Sequence, residues 1–468
     1  MSITTPRIRL GASVVAAALA FGLAVRAEAP HVYAIKGARL VTVSSASIGA
    51  GTIVVRNGLI EAVGADVQPP SDAVVIDGSG LSVYPGLIDM GTTAGTDLPT
   101  PGQPQAQPQN QPQQQGPRTF DDAERAKRAA ALRPQVLAAE HVRLDSPELA
   151  RFAAAGVTSV LATPPGLLIK GQSALVNVTT PEMEPIVGAI ATPRAGLDVL
   201  RSPVALHIEI RRPGGDGYPE ALLGAIAFVR QSFIDAQYQQ SLEQRYQKSP
   251  AGVLRPPSDP ALDALQVALA GRVPVAFEAN LQREVWRALT IAKEFKLSPL
   301  ITGGQEADLV AGDLKAANAK VVISLNYPSR PRSLAPDADE PARELRLRAH
   351  APKVAAGLAK AAVPFAFSSS GLQNETEFLK NAAKAVKEGL AEDVALRALT
   401  LDAARIAGAA DRIGSLEKGK IANLLVTDGD LFAEKTKVKH VFVDGRMVDI
   451  DIPEAPQGRG RGRGNESR

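Results

Sequence analysis

The sequence predicts an α/β architecture: a (β/α)8 TIM-like barrel with a small β-sandwich domain built from both chain ends. Three observations predict it. Short apolar runs rich in β-branched or aromatic residues alternate with helical patterns through the middle of the chain. Strand-like text flanks that region on both sides. The length, 468 residues, is comfortable for one large barrel plus an accessory domain. Hydrophobic residues make up 45% and charged residues 22%, enough for a sizeable core and against global disorder.

Residues 1–29 read as an export signal. Arg7 and Arg9 give a basic start, Gly11 to Val25 an apolar run, and Ala27-Glu28-Ala29 a small-x-small cleavage pattern. The run is broken by Arg26 and is shorter than the ~20 residues of a bilayer span, so no stable membrane span is expected. A signal cleaved after Ala29, with a periplasmic or secreted mature protein, is the expectation; a retained anchor is the alternative. Without cysteine there are no disulfides, thiolate metal sites or thiol nucleophiles.

The first β segment, 30–82, contains TIVVR and LIEAVG joined by Asn57-Gly58, a dipeptide that tolerates the positive φ of tight hairpin turns. The barrel is assigned to 83–412. Its strands are read in YPGLID, GVTSVLAT, ALHIEI, VPVAFEA, LSPLIT, KVVISL and VPFAFSS. Between two of them, Leu281, Val285, Ala288, Ala292 and Phe295 recur at helical spacing. Alternating strands and helices imply parallel pairing buried on both faces. GQSALV, at Gly171–Val176, reads as a barrel-lining turn. Residues 99–118 are Gln/Pro-rich and are expected to be a disordered insertion, and Phe228–Gln247 reads as a long, polar, exposed helix. Residues 413–452 return β text, IANLLVTDGD and VKHVFVDGRMV, completing the sandwich. The Arg/Gly tail, 453–468, is expected to be disordered. A net charge of +3, with no basic patch interleaved with aromatics, argues against a nucleic-acid partner.

VVRNGLIEAVG, the junction from VIDGSG to YPGLID, and DRIGSLEKGKIANLLV together resemble the amidohydrolase superfamily, in particular its imidazolonepropionase-like branch. The likeness covers nearly the whole mature chain. Asn423 stands where the family commonly has Asp. The resemblance implies zinc or another divalent metal at the C-terminal ends of the barrel strands, held by His-x-His, two further His and an Asp. Carried over residue by residue, the first pair falls on Gly91 and Thr93, the third position on Glu278 with Asn280 beyond it, the fourth on Gly303 and the last on Ser369. Only Glu278 keeps ligand character. The five histidines, His31, His141, His207, His350 and His440, make neither His-x-His nor His-Glu-x-x-His spacing. His207 and Glu209 alternate on one face of ALHIEI, as an ordinary polar pair or a two-ligand site. A catalytic zinc wants three protein ligands, so no metal cofactor is expected.

Losing a metal that lowers a bound water's pKa from ~15.7 to ~7 forfeits up to ~12 kcal/mol of activation. A general base recovers ~3–5 kcal/mol, so Glu278 alone does not close the gap for an unactivated amide. Other schemes fare no better. Ser368–Gly371 is not Gly-x-Ser-x-Gly, and no His is expected near it. Carboxylate pairs of Glu278 with Glu306 or Glu375 remain open in the sequence. Two readings stand. The first is an amidohydrolase degenerate at its metal centre, acting by ligand binding or as partner of an active relative. The second is a hydrolase of cyclic amide, lactone or ester bonds using Glu278 or an unusual mononuclear metal. A small-molecule ligand and a homodimer are compatible with both.

Overall fold

The structure is a computed structural model that describes residues 32–98, 119–143, 146–178, 199–214, 218–331, 333–335, 337–372, 374–448 and 450. The expected signal with its cleavage after Ala29, His31, the Gln/Pro-rich stretch and the Arg/Gly tail lie outside them. Among the described residues no helix is long and apolar enough to cross a membrane.

The first five strands are β1 (Val32–Leu40), β2 (Ile48–Arg56), β3 (Leu59–Gly64), β4 (Val74–Asp77) and β5 (Ser82–Pro85). β2 and β3 pair antiparallel, and the turn between them puts Asn57 at φ 51 and Gly58 at φ 83. Both values lie in the left-handed region that the Asn-Gly dipeptide tolerates.

Two further sheets follow. One has the order β10-β9-β7-β6, from β6 (Leu87–Thr92), β7 (Val157–Ala162), β9 (Ala174–Asn177) and β10 (Val199–Arg201). The other runs β15-β14-β13-β12-β11-β8, from β8 (Ile169–Gln172), β11 (Leu206–Glu209), β12 (Val275–Ala279), β13 (Pro299–Gly303), β14 (Lys320–Ser324) and β15 (Phe365–Ser368). β11 to β15 are all parallel, as are β6 and β7. β6, β7, β11 and β15 are buried along their whole length, as strands covered on both faces must be. The two sheets meet at both ends. Ser173 alone separates β8 from β9, and Ser369, just after β15, donates its backbone N–H to Asp89 on β6 at 2.7 Å.

Seven parallel strands stand in these two sheets among the described residues, where eight were expected. Between β7 and β11 the chain turns back as β8 and β9, which pair antiparallel with β11 and β7 respectively, so GQSALV is strand rather than turn. Only six residues separate β7 from β8, too few for the dozen or more that a crossover to a parallel strand requires.

The long helix also departs from expectation. It spans Leu222–Lys248, and Ala225, Phe228, Val229, Ser232, Phe233, Ala236 and Gln239 are buried along one face. Their spacing of three and four lays a stripe onto the core. Phe233 meets Phe295 of the helix Gln282–Phe295 with ring centroids 5.1 Å apart, a contact worth ~0.5–1.5 kcal/mol beyond its area.

The chain ends rejoin in one sheet. β16 (Leu424–Thr427), β17 (Val438–Val443) and β18 (Arg446–Val448) extend the first five strands into eight, with order β18-β17-β16-β5-β1-β2-β3 and β4 on β1. β16 pairs with β5, so this strand crosses the expected boundary at residue 82. Asn423 explains its departure from Asp. Its side-chain amide donates to Asn177 Oδ1 (2.8 Å) and Ser159 Oγ (3.1 Å), and its oxygen accepts from Asp444 N (2.9 Å). A carboxylate could not donate. Asn423 thereby stitches the joined sheet to β7 and β9.

Candidate functional site

A cavity of about 290 Å³ opens at the C-terminal ends of the parallel strands. Larger clefts, of about 530 and 580 Å³, lie toward the strand beginnings, against Lys320 and Phe365 in one and Leu297 and Pro299 in the other. In α/β sheets functional sites gather at the C-terminal ends, which favours the smaller, more polar cavity.

Gly91 near the end of β6, Thr93 just after it, Glu278 and Asn280 around the end of β12, and Gly303 on β13 all line it. Five of the six positions derived from the sequence therefore converge. Ser369 does not line it; its neighbours Ser368 and Ser370 do. Ser369 instead holds Asp89, giving its hydroxyl to Oδ2 at 2.6 Å and its backbone N–H to Oδ1, which also accepts from Gly91 N at 3.2 Å. Asp89 is wholly buried, and burial pushes its carboxyl up to about 7 against those three donors.

Lys170, on β8, was not read from the sequence and organises the site. In the pairing of β8 with β11, His207 faces Gly171 and Ile208 faces Ile169, so Lys170 sits at the register shift between them. Bulges re-aim side chains in this way. Gly171 is required there: its φ is +129, and a Cβ would meet Val136 O at 2.7 Å. The Lys170 ammonium lies 2.7 Å from Glu209 Oε2 and 2.8 Å from Glu278 Oε2. Glu209 and Glu278 are directly opposite each other on parallel β11 and β12, a like-charge juxtaposition that costs stability unless a cation separates it. Arg211 takes the other oxygen of Glu209. Burial pulls Lys170 down, but Glu278 and Glu209 outweigh it and hold the ammonium above its ordinary value. Burial, and then the charge of Glu278, push Glu209 up against the pull of Lys170.

His207 does reach the cavity, contrary to the expectation that no His is near the Ser368–Gly371 stretch. It does not pair with Glu209, which is engaged by Lys170 and Arg211. Its Nε2 is buried without a hydrogen-bond partner, and burial lowers the ring to about 3, so it is neutral at physiological pH. No hydrogen bond joins it to Ser368 or Ser370, so a serine–histidine couple is not assembled. The alternative carboxylate pairs are also not assembled. Glu306 accepts from Gln282 N at 2.9 Å, Glu375 pairs with Arg151 at 3.3 Å, and neither lines the cavity. His141 and His350 lie elsewhere, against Asp97 and Asp308.

The residues present do not fit a divalent metal. Of the donors, one is an imidazole and two are carboxylates already bonded to an ammonium, whose charge repels a second cation. Among the described residues no three His, Cys, Asp or Glu are grouped to hold a metal ion.

Fold and site define a mixed α/β protein with a polar cavity at the ends of its parallel strands. Within that class, residues 297–448 match the model of the amidohydrolase family. Several solved structures share the fold. An amidohydrolase from Thermotoga maritima MSB8 superposes with a TM-score of 0.68 at 23% identity, covering 89% of this chain and 99% of that one. A prolidase complexed with N-methylphosphonate-L-proline gives 0.51 at 18% identity, over 89% and 99%. A further amidohydrolase gives 0.51 at 16%, over 89% and 98%. No curated protein matches the chain. Members of that family usually bind a divalent metal.

Proposed function

We propose that this is an exported protein of amidohydrolase fold, degenerate at the metal centre, that holds a small molecule in the cavity or pairs with an active relative. In this reading the two central sheets form one barrel, and the joined end sheet belongs to a small β-sandwich. The observation that carries the proposal is the Lys170 ammonium bonded between Glu209 and Glu278. It occupies both of these carboxylates with a fixed cation.

The test is elemental analysis of the mature protein purified without chelators, followed by a panel of amides, lactones, esters and dipeptides with and without added zinc. Less than a tenth of an equivalent of metal and no turnover are expected. Stoichiometric, tightly bound zinc or iron overturns the proposal.

A second reading rests on Glu278, whose carboxylate faces the cavity with 43% of its side chain exposed. It would act as general base in hydrolysing a reactive lactone or ester. Loss of turnover in Glu278→Gln, with the melting temperature unchanged, would favour this reading. The proposed export predicts a mature chain beginning after Ala29, which intact mass of the secreted fraction reads directly.

A further inference from the structure

The ligand class can be narrowed from the hydrogen-bonding groups the cavity leaves open, on the footing of the metal-free reading above. Among the described residues the only charged side chains lining it are Lys170 and Glu278, and they neutralise each other. Lys170 spends two of its three N–H donors on carboxylates. Glu278 uses only Oε2, so Oε1 remains an unused acceptor beside the unused ammonium donor. A hydroxyl is the smallest group that accepts from one and donates to the other through a single atom. Around this pair the hydroxyls of Thr93, Thr302, Ser368 and Ser370 line the wall, and none of the four bonds its side chain to another described residue. Each can donate and accept, which matches hydroxyl partners better than groups that only accept. A carboxylate ligand would face Glu278 with Glu209 behind it. An ammonium ligand would face Lys170. Among the described residues no Phe, Tyr or Trp lines the cavity, which argues against a flat apolar ring, and about 290 Å³ is at the small end of ligand pockets.

The geometry points to a small uncharged polyol of about three to six carbons as the ligand, one of its hydroxyls bridging Lys170 and Glu278.

The experiment is calorimetric titration of the mature protein with glycerol, meso-erythritol and myo-inositol. Parallel arms use glycerate, ethanolamine and acetamide as the acid, amine and amide probes. Saturable binding of at least one polyol is expected, weakened at least about tenfold in Glu278→Gln and in Lys170→Met, the scale of one charge-assisted hydrogen bond. Glu278 is partly exposed, so its variant keeps the test decisive where Lys170→Met fails to fold. Non-saturable stabilisation by polyols, equal in parent and variant, is the general osmolyte effect and overturns the inference. So does saturable binding of only the acid, amine or amide probe. A metal-free protein that binds no polyol sinks this inference and leaves the previous one standing; bound stoichiometric metal sinks the previous one first.

Discussion

Replacing Lys170 by Met removes the charge of the buried cluster while keeping most of its apolar stem. Breaking a buried ion pair from one side costs ~3–5 kcal/mol when the remaining charge is sealed from water. Here the remaining charges are unequal. Glu278 has 43% of its side chain exposed and recovers hydration, whereas Glu209 has 12% exposed but keeps Arg211. The two reliefs bring the expected loss to ~2–3 kcal/mol, roughly 2–6 °C in a chain of this size. The pH dependence follows from Glu209, which burial and Glu278 already push up. Removing Lys170 pushes it further. A carboxyl raised in the folded state contributes stability that is fully present below the unfolded value and is lost as pH rises through the folded one. The variant's deficit should therefore be full near pH 8 and shrink toward pH 4.5, where Glu209 binds a proton. Urea denaturation of parent and variant at both pH values measures it. Equal stability at pH 8, or a deficit of the same size at both, would show that the cluster is solvated and does not organise the cavity.

Asp89 titrates with the opposite consequence for its substitution. Burial raises it to about 7, so its contribution is present below the ordinary carboxylate value and lost as pH rises through about 7. Asn at 89 keeps an oxygen for Ser369 N and Gly91 N and offers an N–H to Ser369 Oγ. Asp89→Asn should then match or exceed the parent at pH 8 and flatten the stability profile between pH 4 and 8; an unaltered profile would mean that Asp89 does not titrate in that range. Asn423→Asp restores the residue common in the family and should cost ~3 kcal/mol, because a buried carboxylate would face the Asn177 oxygen with no proton to give. A melting temperature equal to the parent's would refute that account of the departure.

The parallel strands of the two central sheets were legible because each is a short apolar run of β-branched or aromatic residues, and the Asn57-Gly58 turn because only certain residues accept positive φ. Five cavity positions were legible because they sit at strand ends, where the resemblance supplies an alignment. Three features were not. Lys170 owes its position to a bulge in an antiparallel pairing whose partner strand lies beyond residue 205, and the local text KGQ offers only a charge beside a glycine as a hint. Asp89 and Ser369 are 280 positions apart, and nothing local reports their bond. The long helix hid its buried face because Ala, Ser and Gln alternate with its few aromatics, so polar letters masked a regular spacing of three and four.

The cluster also bears on what an ammonium can and cannot replace in a cavity of this kind. A divalent ion held by side chains from several strands both crosslinks them and activates a water. Lys170 performs the first task, bonding β8 to β11 and β12 through two carboxylates. It cannot perform the second, because it offers no coordination position and lowers the pKa of a neighbouring water by far less than the ~9 units a metal supplies. Its remaining donor can polarise or hold an oxygen, a contribution on the scale of one charged hydrogen bond, ~1.5–3 kcal/mol. That magnitude is ample for binding and falls short of the ~12 kcal/mol that metal activation forfeits. In the proposed reading the cavity therefore keeps its shape and its orienting contacts while amide hydrolysis is lost, and recognition is the function its remaining groups can sustain.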